Sequence, residues 1–257
     1  METIVYAFSG TGNSLYAAKR VASALDAKVK YIVHEAKEGH YKCEAGRVIF
    51  VFPVYAWGPP AVVKYFMEKL DLSQASYISA LATAASSTGA TFGIVADILA
   101  AKGKPLNYAC TIMMPTNYLP LFTVKPAGKC AKKLEKADKK ISKYLEDIKA
   151  AVTARPYKAG FLAKKFYSFV YDKNSKKDKN FFVDPVCIKC GVCAKVCPAH
   201  DIEITDAGPV WQGKCMQCMA CANYCPTKVI QIKRAFTSRQ GRYHHPGVTD
   251  IDIAAQK

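Results

Sequence analysis

Acidic residues are scarce in this chain. Its 257 residues hold 20 Asp and Glu against 37 Lys and Arg, a formal net charge of +17. Such an excess can steer an acidic protein partner or an anionic substrate, or only keep the protein in solution. It does not read as nucleic-acid recognition, since no known binding module for nucleic acid accompanies it. Long apolar runs are missing as well. The uncharged stretch 48–63 is interrupted by Pro53, Gly58, Pro59 and Pro60, and the uncharged stretch 73–96 is rich in Ser and Thr. Neither supplies the roughly 20 apolar residues that a membrane-spanning helix needs. The N-terminus enters an apolar run with no basic segment before it, unlike a secretory leader. There is no P-loop lysine motif and no G-x-G-x-x-G, which argues against nucleoside triphosphates and nicotinamide dinucleotides. No side chain stands out as a general base or nucleophile, so bound cofactors would carry any chemistry.

Cysteine is abundant instead, and it is organised. Of eleven cysteines, eight fall in Cys187-x2-Cys190-x2-Cys193-x3-Cys197-Pro198 and Cys215-x2-Cys218-x2-Cys221-x3-Cys225-Pro226. Both runs fit the spacing of two-cluster bacterial ferredoxins, in which the fourth thiolate of each run reaches the other cluster. Similarity to that pattern implies one [4Fe-4S] cluster on Cys187, Cys190, Cys193 and Cys225, and another on Cys215, Cys218, Cys221 and Cys197. Zinc or disulfides are the alternatives, but zinc sites usually pair two C-x2-C units across a long spacer. The remaining Cys43, Cys110 and Cys130 are isolated and read as small buried apolar residues. Thiolate-bound clusters need a reducing compartment, so a cytoplasmic location is expected.

The first two-thirds of the chain alternates strands and helices. Residues 3–8 predict a buried strand, and Ser9, Gly10, Thr11, Gly12, Asn13 and Ser14 then form a turn into a helix with Leu15, Ala18, Val21, Ala22 and Leu25 on one face. A Gly/Ser/Thr turn at a helix N-terminus suits a single phosphate monoester, with an ordinary strand-to-helix turn as the alternative. Further strands are expected at 29–33, 47–55, 75–83 and 107–114, with helices at about 61–70, 90–101 and 127–153. This order argues a parallel sheet covered on both faces. The lysine-rich helix at 127–153 reads as a surface helix with a solvated basic face.

These loops resemble those of flavodoxins, whose sheet has the order 2-1-3-4-5 and holds the flavin at its C-terminal strand edge. The resemblance places residues 3–14 as first strand and FMN phosphate loop. It places Pro53, Val54, Tyr55, Ala56, Trp57 and Gly58 as the second flavin loop, and Thr83, Ala84, Ala85, Ser86, Ser87 and Gly89 as the third. Trp57 would stack on the flavin ring, with a partly buried loop aromatic as the alternative, and Asn117 and Tyr118 would lie over the pocket or form a plain turn, with 117–126 as a lid. The whole chain resembles the flavodoxin–ferredoxin fusion proteins of anaerobes. That implies an α/β flavodoxin-like domain (1–153), a basic and aromatic linker with a short helix (154–180), a two-cluster α+β ferredoxin-like domain (181–235) and a C-terminal arm (236–257). The implied function is electron transfer between FMN, two clusters and external redox partners. An FMN-dependent reductase of quinone or nitro substrates and a redox-sensing interaction protein remain alternatives. In the linker, Phe161, Leu162, Phe166, Phe169 and Val170 form an apolar stripe expected to dock on the body rather than on a membrane. Residues 173–179 read as a polar loop. Past Arg234, the tail with His244 and His245 is expected to pack on the body or to be disordered.

Overall fold

The computed structural model describes residues 1–154, 156–174, 178–233, 235 and 241–257, the side chains of 171–174 excepted. The expected helix break at Arg155, the loop residues 175–177 and the boundary at Arg234 lie outside the described residues.

Five strands make one parallel sheet: β1 (Thr3–Ala7), β2 (Lys28–Tyr31), β3 (Arg47–Pro53), β4 (Tyr77–Ala84) and β5 (Tyr108–Met113), in the order β2-β1-β3-β4-β5. All four pairings are parallel, and Val5 lies between Val29 and Ile49 in register. Period-two alternation sends Val5, Ala7, Ile49, Val51 and Leu81 to one face, where α1 (Asn13–Ala24) and α5 (Ala127–Lys149) cover them. It sends Tyr6, Phe8, Phe50, Phe52 and Ala82 to the other, under α3 (Ala61–Lys69) and α4 (Thr91–Ala100). Burial on both faces explains why these strands read as unbroken apolar runs. This is the flavodoxin-like sheet, and its first and third strands deliver their loops to one edge.

The cysteine-rich part is smaller and holds two antiparallel ribbons. One pairs β6 (Phe181–Val183) with β9 (Ile230–Ile232), the other β7 (Ile202–Thr205) with β8 (Gly208–Trp211). Single-turn helices α7 (Val192–Lys195) and α8 (Ala220–Asn223) follow the second cysteine of each run. No described helix is long and apolar enough to cross a membrane.

Three expectations change. The apolar run 29–33 is not all strand: β2 stops at Tyr31 and α2 (Ile32–Glu38) begins, closed by Gly39 in the left-handed region at φ 73°. Pairing with β1 ends at Ala7–Tyr31, where β1 itself turns into its loop. The tail carries an unexpected helix, α9 (Asp250–Ala254), opened by a capping box between Thr249 and Asp252. Finally, the apolar stripe of α6 (Phe161–Asn174) docks only in part: Phe166 packs on the Trp57 ring, but its N-terminal end stands out. Phe161 and Leu162 are 76 % and 78 % exposed, and Phe166 and Phe169 are exposed too. The helix is held by Tyr167, 3 % exposed, whose ring covers Gly58 and whose hydroxyl donates to the Pro59 carbonyl at 2.6 Å.

Candidate cofactor site

The turn after β1 is built to present backbone donors. Gly12 adopts φ 95°, the left-handed region where glycine carries no Cβ penalty. The first intrahelical bond of α1 runs from Tyr16 N–H to the Gly12 carbonyl at 2.8 Å. The N–H groups ahead of it have no acceptor within the helix and favour an anion. Side chains brace the turn: Ser9 Oγ accepts from Gly12 N–H at 3.1 Å, and Ser14 Oγ and Thr83 Oγ1 share a hydrogen bond of 2.7 Å. Asn117 Nδ2 donates to Thr11 Oγ1, tying the 117–126 segment to the same turn.

The second loop is a tight turn. Tyr55 and Gly58 exchange both backbone hydrogen bonds, at 2.8 and 2.9 Å, with Ala56 and Trp57 at φ 48° and 65°. Such a turn favours Asn-Gly, so a non-glycine pair there is strained and persists only because its surroundings enforce it. Trp57 provides that enforcement. Its carbonyl accepts from Ala90 N–H at 2.9 Å, Gly89 lies directly against its side chain, and Phe166 packs on its ring with centroids 5.5 Å apart.

All the sequence-predicted flavin-loop residues except Gly12, Gly58 and Gly89 line one cavity of about 480 Å³. That volume falls within the ~300–1,000 Å³ usual for small-molecule sites. The three glycines lie behind the wall, where a Cβ would strike Val248, Tyr167 and Trp57 respectively. Asn117, Tyr118, Pro120, Leu121 and Phe122 close one side, so the expected lid segment does reach the cavity. Among the described residues no carboxylate lines it and Lys233 is the charged one that does. Thr116 Oγ1, on the wall, is buried without a hydrogen-bond partner among the described residues. An unsatisfied hydroxyl of that kind awaits a polar ligand.

Sequence reasoning missed the opposite wall, which is Cys215, Met216 and Gln217. The contact between the two parts is close. A methyl at Gly10 would sit 2.4 Å from the Cys218 carbonyl oxygen and 3.0 Å from the Tyr55 hydroxyl. No local signal marks the residues inside a C-x2-C as walls of a second cofactor site.

The eight motif cysteines enclose two further spaces. Cys197, Cys215, Cys218 and Cys221 line one, and Cys187, Cys190, Cys193 and Cys225 line the other. The two halves repeat their backbone. Lys189 and Gln217, each before the second cysteine, have φ 54° and 57°; Gly191 and Met219, each after it, have 76° and 62°. His200 and Lys228, three residues past the fourth cysteine, have 48° and 58°. Left-handed side-chain-bearing residues at matched positions point to a wrapping geometry imposed by what the loops enclose. Among the described residues no group of three or more His, Cys, Asp or Glu is placed to hold a single metal ion.

Burial pushes the Cys193 thiol up to about 11 and the Cys215 thiol up to about 12. Burial raises Cys197, Cys218 and Cys221 as well. Burial therefore disfavours the thiolate form at these five cysteines, and a bound cation would offset that cost. Amide donors are already placed: Asp201 N–H on Cys197 Sγ at 3.4 Å and Gln217 N–H on Cys215 Sγ at 3.3 Å. Cys190 is exposed, while Cys218 lies against Gly10. The two spaces thus lead from the cavity to the surface.

The C-terminal segment braces the first turn from behind. Gln256 accepts from Ser9 N–H at 2.9 Å and donates to Ser9 C=O at 3.1 Å. His245 N–H donates to the Thr11 carbonyl at 2.9 Å, and its ring stacks on Tyr16 with centroids 4.0 Å apart. Tyr243 hydroxyl donates to Asn13 Oδ1 at 2.8 Å. The tail packs on the body, the first of its two expected fates.

Residues 209–231 match the 4Fe-4S binding domain family. That span contains the second cysteine run and none of the first. The chain matches no curated protein. Among solved structures it is similar to a flavodoxin from the domain Archaea, at 15 % identity, TM-score 0.37, over 58 % of this chain and 99 % of that one. It is similar to the two-electron reduced flavodoxin of Megasphaera elsdenii, at 17 % identity, TM-score 0.33, over 54 % and 99 %. A flavoprotein from Lactobacillus acidophilus in complex with FMN gives 13 % identity, TM-score 0.34, over 43 % and 92 %. These likenesses are weak, and the fold assignment stands on strand order and register. A flavodoxin-like sheet is thus followed in this chain by a segment that matches the 4Fe-4S binding domain family.

Proposed function

We propose that this protein transfers electrons between an FMN in the 480 Å³ cavity, two [4Fe-4S] clusters in the two cysteine-lined spaces, and external redox partners. The observation that carries the reading is the shared wall: Cys215, Met216 and Gln217 line the same cavity as the turn Ser9–Ser14. The N-terminus of α1, with Ser9, Thr11 and Ser14, would hold the phosphate, while Trp57 and Tyr118 would flank the ring. Bound flavin supplies two-electron chemistry that each cluster can exchange one electron at a time. Cys187, Cys190, Cys193 and Cys225 would hold the outer cluster, and Cys197, Cys215, Cys218 and Cys221 the inner one. Holding both cofactor types on one chain makes their exchange intramolecular, at high effective concentration. In this reading residues 1–153 form the flavin domain, 154–180 the linker, 181–235 the cluster domain, and 236–257 an arm that stiffens the phosphate turn.

Rapid mixing of anaerobic protein with dithionite tests the route. Flavin reduction in Cys218→Ser, with the inner cluster lost, is expected to slow at least tenfold at unchanged flavin content. Equal rates in variant and parent would mean that the flavin does not draw on that cluster.

A second reading, reduction of a small substrate at the same cavity, draws on the Pro120–Phe122 side that closes over it. Turnover with quinones or nitroaromatics would favour it.

A further inference from the structure

The exposed stripe of α6 lies on the wrong side of an ordinary surface helix. At 3.6 residues per turn, Phe161, Lys165, Leu162 and Phe166 fall within an arc of about 140°, with buried Tyr167 roughly opposite. The apolar face therefore points into solvent, not onto the sheet. Leu121, 73 % exposed, and Phe122 stand out beside it, and Trp57 is half exposed. These three line the cavity together with Val170 of α6, and Phe166 packs on Trp57 at that edge, while Phe161 and Leu162 stand out further along the same helix.

Lysine outnumbers carboxylate at this face, where Asp97 and Asp172 are the acids beside or within α6. Residues 156–171 carry three lysines and residues 116–134 carry four, and neither stretch contains an Asp or Glu. Lys164 pairs with Asp97 of α4, which leaves Lys158 and Lys165 beside the apolar face. A helix that turns Phe161, Leu162 and Phe166 outward beside lysines, with Asp172 as its one carboxylate near its C-terminal end, has the chemistry of an interfacial membrane helix. The cores of protein interfaces are depleted of lysine, which fits Lys158 and Lys165 beside this apolar face less well than lipid phosphates do.

We infer that this face docks on an anionic lipid bilayer, with Phe161, Leu162, Phe166, Leu121 and Phe122 entering the headgroup boundary and the lysines meeting the lipid phosphates. Docking brings the cavity mouth to the lipid–water interface, where lipid-soluble molecules are concentrated. The inference does not rest on the identity of the bound cofactor.

The test is flotation of the full-length holoprotein with vesicles of phosphatidylcholine alone or mixed with phosphatidylglycerol. Binding is expected to the mixed vesicles only, weakening as salt rises. Phe161→Ser with Leu162→Ser should lower it about 100-fold. Lys158→Gln and Lys165→Gln should each lower it about fivefold. Because these side chains are exposed, visible spectra and iron content should match the parent, which separates lost docking from misfolding. No binding to anionic vesicles, or binding that these four substitutions leave unchanged, overturns the inference. Association with an acidic protein in place of vesicles overturns it too.

Discussion

Gln256 offers a sharp test of how the phosphate turn is held. Its side chain is buried and makes both hydrogen bonds of the buried Ser9 backbone, from positions 247 residues apart. Gln256→Met keeps the volume and removes both bonds. Each buried backbone group left without a partner costs about 1–3 kcal/mol. With some relief from entering water, the expected loss is about 2–4 kcal/mol, or a Tm lower by about 4–16 °C for a chain of this size. Because Ser9 opens the turn, flavin affinity should fall with it, by at least tenfold. Melting curves at one scan rate and equilibrium flavin titration of the apoprotein read both quantities. A Gln256→Met protein within about 1 °C of the parent, with unchanged flavin affinity, would refute the claim that the tail braces the turn.

Other outcomes follow from the same geometry. Gly10→Ala forces a methyl against the Cys218 carbonyl, so it should weaken flavin binding and disturb the inner cluster together; optical titration with iron analysis checks whether both move. Cys190→Ser should remove the outer cluster and leave flavin content unchanged, as measured by iron and flavin per chain. His245 supplies a pH signature. Burial lowers its pKa from 6.5 to about 4, with Asp138 opposing and His244 adding to the shift. Between those values the unfolded chain binds a proton that the folded chain does not, so stability is full above pH 6.5 and falls as pH drops toward 4. The loss should reach at most about 3 kcal/mol, and denaturant titration of His245→Gln should lack that slope.

The sequence told most where physics is local. Apolar runs gave β1, β3 and β4 because these parallel strands are buried on both faces, whereas β2 carries Lys28 and Lys30 and is only partly buried. Which thiols share a space was legible only through the resemblance to two-cluster ferredoxins, since the fourth cysteine of each run lies with the first three of the other. Thr249 and Asp252 spelled a capping box that could have revealed α9, but a weak apolar pattern hid so short a helix. Contacts distant in sequence were not legible. Nothing in Gln256 announces Ser9, and nothing in Met216 announces the cavity wall. The stripe of α6 misled for a related reason: periodicity shows that a helix has an apolar face, not which way that face points.

The central claim is that one chain holds a flavin beside two clusters. Protein purified without oxygen should carry about eight irons and eight sulfides with one FMN, and dithionite should reduce flavin and clusters in linked steps. Full iron with no flavin, and none taken up when FMN is added, would contradict the account and leave the turn at Ser9–Ser14 to another phosphate ligand.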